Sequence, residues 1–304
     1  MMQRALCVLL AITSLAHAAE ARRAADGYQP PQFDPQQGYT QFLIPHAAKP
    51  PTTDGQIEPG EWDQAVELNA MADQTRQWKE LYPRWVKWRL AWDADNLYLC
   101  SESQRLPGED LVCRYRDQSL GGDTVLDDSI EVHFSPVGRN ALGRKLPWAA
   151  QAILNPLGVG FYSKFTWAVA AKTTAWVPEW TIGSKIHEKS WVIELKIPRT
   201  SLDVQEPNRP GDAWSLLLAR NWKRTGWQQS ALPAALHSFQ NPREHPFAYL
   251  TDGPFARLED VSGLVEGRVH TVIHLGTCGS KAEKANVRFT LDGPRKYEKS
   301  ADLD

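Results

Sequence analysis

Asp127, Asp128 and Glu131 crowd the entrance of a segment in which Ile130, Val132 and Phe134 alternate with Ser129, Glu131 and His133. Carboxylates this close suit one of three chemistries. A catalytic pair acting on a glycosidic bond needs two carboxyl groups about 5 to 9.5 Å apart. A hard cation takes several oxygen ligands. A ligand-binding carboxylate accepts hydrogen bonds from a polar partner. No apolar pocket that would raise one carboxyl is legible around Asp127 or Glu131, and the chain carries no nucleophile elbow, zinc motif or phosphate loop. Intrinsic catalysis therefore ranks below binding. A second group, Arg220-Asn221-Trp222-Lys223-Arg224 with Trp227 nearby, sets a fork of donors beside broad rings, the combination that stacks on the apolar face of a polyhydroxylated ligand and bonds its hydroxyls. The competing reading of that group is a Trp222 in the core and an Arg220 paired with an acidic residue. His270 and His274 are four apart and share a strand face, but two histidines without a third ligand do not define a metal site. Haem would want His or Met axial ligands, and the sole methionine past the first two residues, Met71, lies in a polar stretch.

The elements that must position these groups are strands. Period-two alternation makes Ser129–Phe134 a half-buried strand with Glu131 and His133 on one face and Ile130, Val132 and Phe134 on the other. Val86 to Trp92, the turn Asp93-Ala94-Asp95-Asn96 and Leu97 to Cys100 read as a hairpin. Further strand runs are Ala149 to Leu154, Val159 to Ser163, Phe165 to Val177, Trp191 to Pro198, Trp214 to Trp222 and Phe247 to Leu250. A short turn at Glu61 to Ala65 is expected to bury Trp62 and Ala65. Helical periodicity over ten or more residues is absent. Short strands with turn signals between them predict an all-β, jelly-roll-like β-sandwich. The predicted division is a signal peptide at 1–18, an extended and loosely held leader at 19–51, the sandwich at 52–253, and at 254–304 an appended hairpin or, as we favour, an incomplete second β-region.

Arg4, the apolar run Ala5 to Leu15 and Ala16-His17-Ala18 match a secretory signal cleaved after Ala18, so the chain is expected to be secreted or periplasmic. The apolar run is too short to span a bilayer. A formal charge of -2 with both signs interspersed offers no basic stripe for nucleic acid. Export would leave Cys100, Cys113 and Cys278, an odd number for an oxidising compartment. Cys100 paired to Cys113 with Cys278 free is one arrangement, open because bridging needs Cα atoms within about 7 Å. The 13 tryptophans serve large β-cores by default and sugar-stacking surfaces otherwise; Trp78, Trp148 and Trp167 are the secondary platform candidates.

Taken in order, Asp54-Gly55 with Glu61-Trp62 and Ala65, the hairpin from Leu90 to Leu99, Asp128-Ser129-Ile130-Glu131-Val132, Glu194-Leu195-Lys196-Ile197-Pro198, Gly211-Asp212-Ala213-Trp214 and Asn241-Pro242 resemble the family 9 carbohydrate-binding modules over about residues 52–252. The resemblance implies non-catalytic recognition of a polysaccharide or oligosaccharide, a structural calcium that carboxylate-rich turns such as Asp93-Ala94-Asp95-Asn96 could hold, and association with polysaccharide breakdown. It also implies a Trp clamp and a binding Glu. Glu131 matches the Glu. Val125 stands where the first Trp is expected, Phe239 where the second is, and Ile153 near the position of a strand Arg that follows a Gln, here Gln151. The candidate sugar-binding residues are therefore Glu131, Arg220, Trp222 and Phe239. Two alternatives from other classes stand beside this reading: a domain of a carbohydrate-active hydrolase, and a structural or docking sandwich that has lost its sugar.

Overall fold

The computed structural model describes residues 8–14, 41–69, 71–74, 81–117, 123–138, 148–166, 169–173, 176–223, 228–232, 239, 245–253, 255–262, 270–276, 285–291 and 297–303. The chain divides into a unit Pro30–Asp252 and a unit that joins Met1–Gln29 to Gly253–Asp304. Its strands, in order, are β1 (Val8–Ser14), β2 (Gln41–Pro45), β3 (Val66–Leu68), β4 (Ala72–Asp73), β5 (Val86–Trp92), β6 (Asn96–Gln104), β7 (Ser129–Gly138), β8 (Trp148–Leu154), β9 (Gly160–Thr166) and β10 (Val169–Thr173). They continue as β11 (Thr181–Ile186), β12 (Ser190–Pro198), β13 (Ala213–Trp222), β14 (Gln228–Leu232), β15 (Phe247–Thr251), β16 (Phe255–Ser262), β17 (His270–Gly276), β18 (Ala285–Leu291) and β19 (Tyr297–Leu303).

In the Pro30–Asp252 unit, two sheets face each other. The first runs β10-β9-β8-β7-β13-β14-β4, with β15 on the early part of β13 and β2 beyond it; the second runs β11-β12-β6-β5-β3. Alternation decides what lies between them. Ile130, Val132 and Phe134 of β7, with Leu216 and Leu218 of β13, pack in one cluster with Trp88 and Leu90 of β5, Leu99 of β6 and Ile193 and Leu195 of β12. Each such side chain, fully buried, contributes about 1.5 to 3 kcal/mol. This is the expected all-β sandwich. The hairpin also forms as read, β5 pairing with β6 in the register Trp92↔Leu97, its turn closed by Asp93, whose Oδ1 accepts from the Asp95 and Asn96 backbones at 2.8 and 2.7 Å.

The outer face of the second sheet is covered by residues 47–65. Trp62 and Ala65 bury against Tyr98, Cys100 and Val192, and the Trp62 indole donates to Glu194 Oε1 at 2.9 Å. Glu194 Oε2 accepts from the Asp54 and Gly55 backbones at 3.1 and 2.9 Å. Gly55 is required here: its φ is 80° and a Cβ would stand 2.8 Å from the Lys185 nitrogen. The motif pieces Asp54-Gly55, Trp62 and Glu194 thus form one clasp.

Three expectations need correction. The loosely held leader does not reach 51, because Gln41–Pro45 adds to the sheet in parallel with β15 and buries Phe42 and Ile44; two alternating apolar residues outweigh the flanking Pro and Gln. The Phe165–Val177 run is not one strand, since β10 turns back on β9 with a register shift between Val169 and Lys172. Beyond it Trp176 and Trp180 pack edge-on against Tyr162. Finally, Cys100 and Cys113 are free thiols. Cys100 is fully buried on β6 beside Arg89, whereas Cys113 belongs to a strap tied to the base of β7, where the Val112 backbone donates to Asp128 Oδ2 at 2.8 Å. Cys278 lies outside the described residues.

In the second unit, β1 pairs with β18 and β18 with β19, and β16 pairs with β17. The strand β1 falls inside the stretch read as an export signal, so cleavage after Ala18 would leave that edge of β18 unpaired. The strand β17 carries His270 and His274, whose side chains lie outside the described residues. No helix among the described residues is long and apolar enough to cross a membrane.

Candidate functional site

The register of the first sheet brings its polar side chains onto one face. Glu131 stands opposite Ala219 of β13 and Ile153 of β8; His133 stands opposite Leu217 and Gln151; Asn221 stands opposite Ser129 and Gln229; Gln151 stands opposite Ser163. Directly opposed residues share a face, so Glu131, His133, Gln151, Ser163, Asn221 and Gln229 line the side of the sheet that turns away from the core.

They form a continuous network with Glu131 at its centre. Glu131 Oε1 accepts from His133 Nε2 at 2.9 Å and from Gln151 Nε2 at 2.6 Å, while Oε2, among the described residues, takes only a long 3.5 Å contact from Asn221 Nδ2. Second contacts orient the donors. Ser163 Oγ donates to Gln151 Oε1 at 3.0 Å, and Gln229 Nε2 donates to Asn221 Oδ1 at 2.6 Å. Burial by itself would raise the Glu131 carboxyl. The hydrogen bond and charge of His133, joined by the two amides, outweigh it and hold the carboxyl below the usual range, so the group is an anion at neutral pH. A carboxylate offers about four acceptor sites, and Oε2 is the oxygen with capacity left.

Phe239 sits on this same face. Its ring packs against Leu217, Ala219 and Ala231, residues that alternate in register with Glu131 and Asn221. The Phe239 carbonyl accepts from His245 Nε2 at 2.8 Å, and the His245 ring meets His133 edge-on, with centroids 5.4 Å apart. Burial, reinforced by His133, pulls His245 down to about 3, so it is neutral. At the end of β13, the Lys223 ammonium is pulled down to about 8 by burial, against the raising influence of Asp128 and Glu131. A cation therefore does reach the neighbourhood of Glu131, from β13 rather than from β8.

The other sequence candidates point elsewhere. Arg220 and Trp222 alternate with Asn221 and so enter the core. Arg220 is fully buried, donates to Asp128 Oδ1 at 2.9 Å, and lies between the rings of Trp222, at 4.3 Å, and Trp191, at 4.9 Å. Arg84 also lies over the Trp222 ring at 4.4 Å, and Tyr82 stacks on it at 4.9 Å. The donors and rings are stacked as anticipated, but they are closed against one another. Of the four candidates, Glu131 and Phe239 share the outer face and the other two do not. Val125 sits in a 3-10 turn before β7, and Ile153 is buried directly across from Glu131. Asp127 is also taken up structurally: it accepts from the Arg114 and Tyr115 backbones at 2.8 and 3.0 Å and from Asn155 at 3.0 Å. Trp78, Trp167, Trp227, Arg224, Asn241, Pro242 and the Trp148 side chain lie outside the described residues.

The polar face is covered in this structure, with Glu131 only 4% exposed and His133 fully buried. An open cleft of about 480 Å³ lies instead among Pro136, Val204, Pro207, Arg209, Asp212 and Trp214. Its Trp214 wall is five residues down β13 from Ala219, about 16 Å at ~3.3 Å per residue, and none of the candidate ligand groups lines it. Among the described residues, no cluster of three or more His, Cys, Asp or Glu side chains could hold a metal ion.

Sequence reading missed Gln151, Asn221, Gln229, Lys223 and His245 as members of the site. Gln151 was discernible from its place before Ile153. Asn221 and Gln229 were not, because a strand covered on both sides shows no polar alternation to reveal its faces.

No family model and no curated protein matches the chain. Solved structures do. A family 9 carbohydrate-binding module from Caldicellulosiruptor kristjanssonii in complex with glucose aligns over 70% of this chain and 96% of its own at 13% identity, TM-score 0.49. The same kind of module with cellotriose aligns over 69% and 93% at 12% identity, TM-score 0.49. A Bacteroides uniformis protein designated as carbohydrate-binding aligns over 70% and 98% at 14% identity, TM-score 0.52. The likeness is one of fold. At a TM-score of 0.52, the Bacteroides uniformis structure agrees with a β-sandwich built by the Pro30–Asp252 unit.

Proposed function

We propose that the Pro30–Asp252 unit is a non-catalytic carbohydrate-binding module of an exported protein tied to polysaccharide breakdown. The observation that carries this reading is the shared face of Glu131 and Phe239: an anionic acceptor oriented by His133, Gln151 and Asn221, beside an aromatic ring on an apolar patch. Sugars present hydroxyls and a C–H face together, and that pairing answers both. The fold of solved carbohydrate-binding proteins lends support. Asp127 and Asp128 do not form a carboxylate pair with Glu131: Asp127 accepts from the Arg114 and Tyr115 backbones and from Asn155, and Asp128 from the Val112 backbone and Arg220.

Binding of the mature chain to an array of soluble and immobilised glycans tests the proposal. Glu131→Ala is expected to weaken binding by roughly 10- to 100-fold, the worth of a hydrogen bond to a charged group, and Phe239→Ala by about 2- to 10-fold. One observation favours a second reading, a docking or structural sandwich without a sugar: the covered state of the Glu131 face. Absence of binding to every glycan on the array would sustain that reading and end the first.

A further inference from the structure

His245 is the group in this site whose chemistry the resemblance does not account for. It is 1% exposed, and its two nitrogens are in different conditions. Nε2 must carry the proton, because it faces the Phe239 carbonyl at 2.8 Å and a carbonyl only accepts. In a neutral ring the tautomer is then settled, and Nδ1 is a lone-pair acceptor. That Nδ1 is buried and has no hydrogen-bond partner among the described residues. Buried polar atoms without partners are uncommon and mark strain or a ligand contact. The position favours the ligand: the ring lies edge-on to His133 at 5.4 Å, whose Nε2 is bonded to the Glu131 carboxylate, and Phe239 packs on the same sheet face.

We infer that His245 is a further ligand-binding residue of this site, accepting through Nδ1 a hydrogen bond from a free hydroxyl, and that with Glu131 it selects neutral, unsubstituted sugar units. This rests on the carbohydrate reading of the Glu131 face. Both Glu131 and the His245 Nδ1 are acceptors, so the ligand must bring donors to each. A hydroxyl does; a methyl ether, an ester or a uronate carboxylate does not, and a carboxylate would also bring a second negative charge against Glu131. Burial and the neighbouring His133 keep the ring neutral and hence accepting through the whole physiological pH range.

Two substitutions separate the nitrogens. The amide of Asn ends where imidazole carries Nδ1; the amide of Gln ends where it carries Nε2. His245→Asn keeps an acceptor toward the ligand and loses the bond to the Phe239 carbonyl. His245→Gln does the reverse. The probe is an array of neutral oligosaccharides with their mono-O-methylated and uronic-acid counterparts, followed by titration calorimetry on the sugar retained most strongly. Wild type is expected to retain the neutral sugars and reject at least one methyl ether series and the uronates. His245→Gln should lose affinity by about tenfold and stop distinguishing the relevant methyl ether from its parent, with His245→Asn within about threefold of wild type. If His245→Gln binds as well as wild type while Glu131→Ala does not, the His245 assignment fails and the carbohydrate reading stands. If wild type retains no sugar, both fail together.

Discussion

At the scale of the residue, parity along a strand separates function from packing. Asn221 lies between Arg220 and Trp222, yet it reaches the Glu131 network while its neighbours stack in the core. Glu131 is usable because its surroundings keep it charged under burial; without His133, Gln151 and Asn221 the same depth would favour the neutral acid. Lys223 is the cation coupled to it. Its amine should titrate near 8, read by NMR of the methylated lysines, and Glu131→Gln should move the midpoint lower still, because removing an opposite charge disfavours the ammonium. An unchanged midpoint would mean that Lys223 does not sense Glu131.

At the scale of the element, the base of β7 is held by charge. Asp128 bonds Arg220 and the Val112 backbone, Asp127 bonds the Arg114 and Tyr115 backbones, and together they fix the 111–116 strap and the start of the strand that carries Glu131. The Arg84, Trp222, Arg220 and Trp191 stack extends that anchor across the core. Arg220→Met strands Asp128 in the interior and should cost about 3 to 5 kcal/mol in urea denaturation, with Asp128→Asn added to it restoring part of the loss. Single and double variants of equal stability would show that the pair is not coupled. The free thiols belong to this scale too. A thiol reagent applied to the folded protein should modify Cys113, part-exposed on the strap, well before the fully buried Cys100, and peptide mass mapping would reveal the opposite order if the strap packed otherwise.

At the scale of the whole molecule, the buried neutral histidine makes stability depend on pH. His245 drops from about 6.5 in the unfolded chain to about 3 in the folded one. Between those values the unfolded state binds more protons, so stability is full above 6.5 and is lost as pH falls toward 3, by up to about 1.4 kcal/mol per unit from this group. The excess stability of wild type over His245→Asn should accordingly shrink on acidification, measured by chemical denaturation from pH 7 to pH 4. A constant difference would mean that His245 is not held neutral.

The sequence by itself determined the sandwich, the hairpin, the burial of Trp62 and Ala65, and the outward face of Glu131, because each rests on period-two alternation or a turn dipeptide, which are local. It also pointed to Phe239 by resemblance. Only the tertiary structure decided that Arg220 and Trp222 face the core, that Gln41–Pro45 joins the sheet, and that Gln151, Asn221, Gln229 and His245 meet Glu131. The reason is physical: β13 is buried on both sides, so its sequence carries no alternation to say which face is which. Parallel pairing of β2 with β15, more than 200 residues apart in the chain, is likewise visible only once the strands are laid side by side.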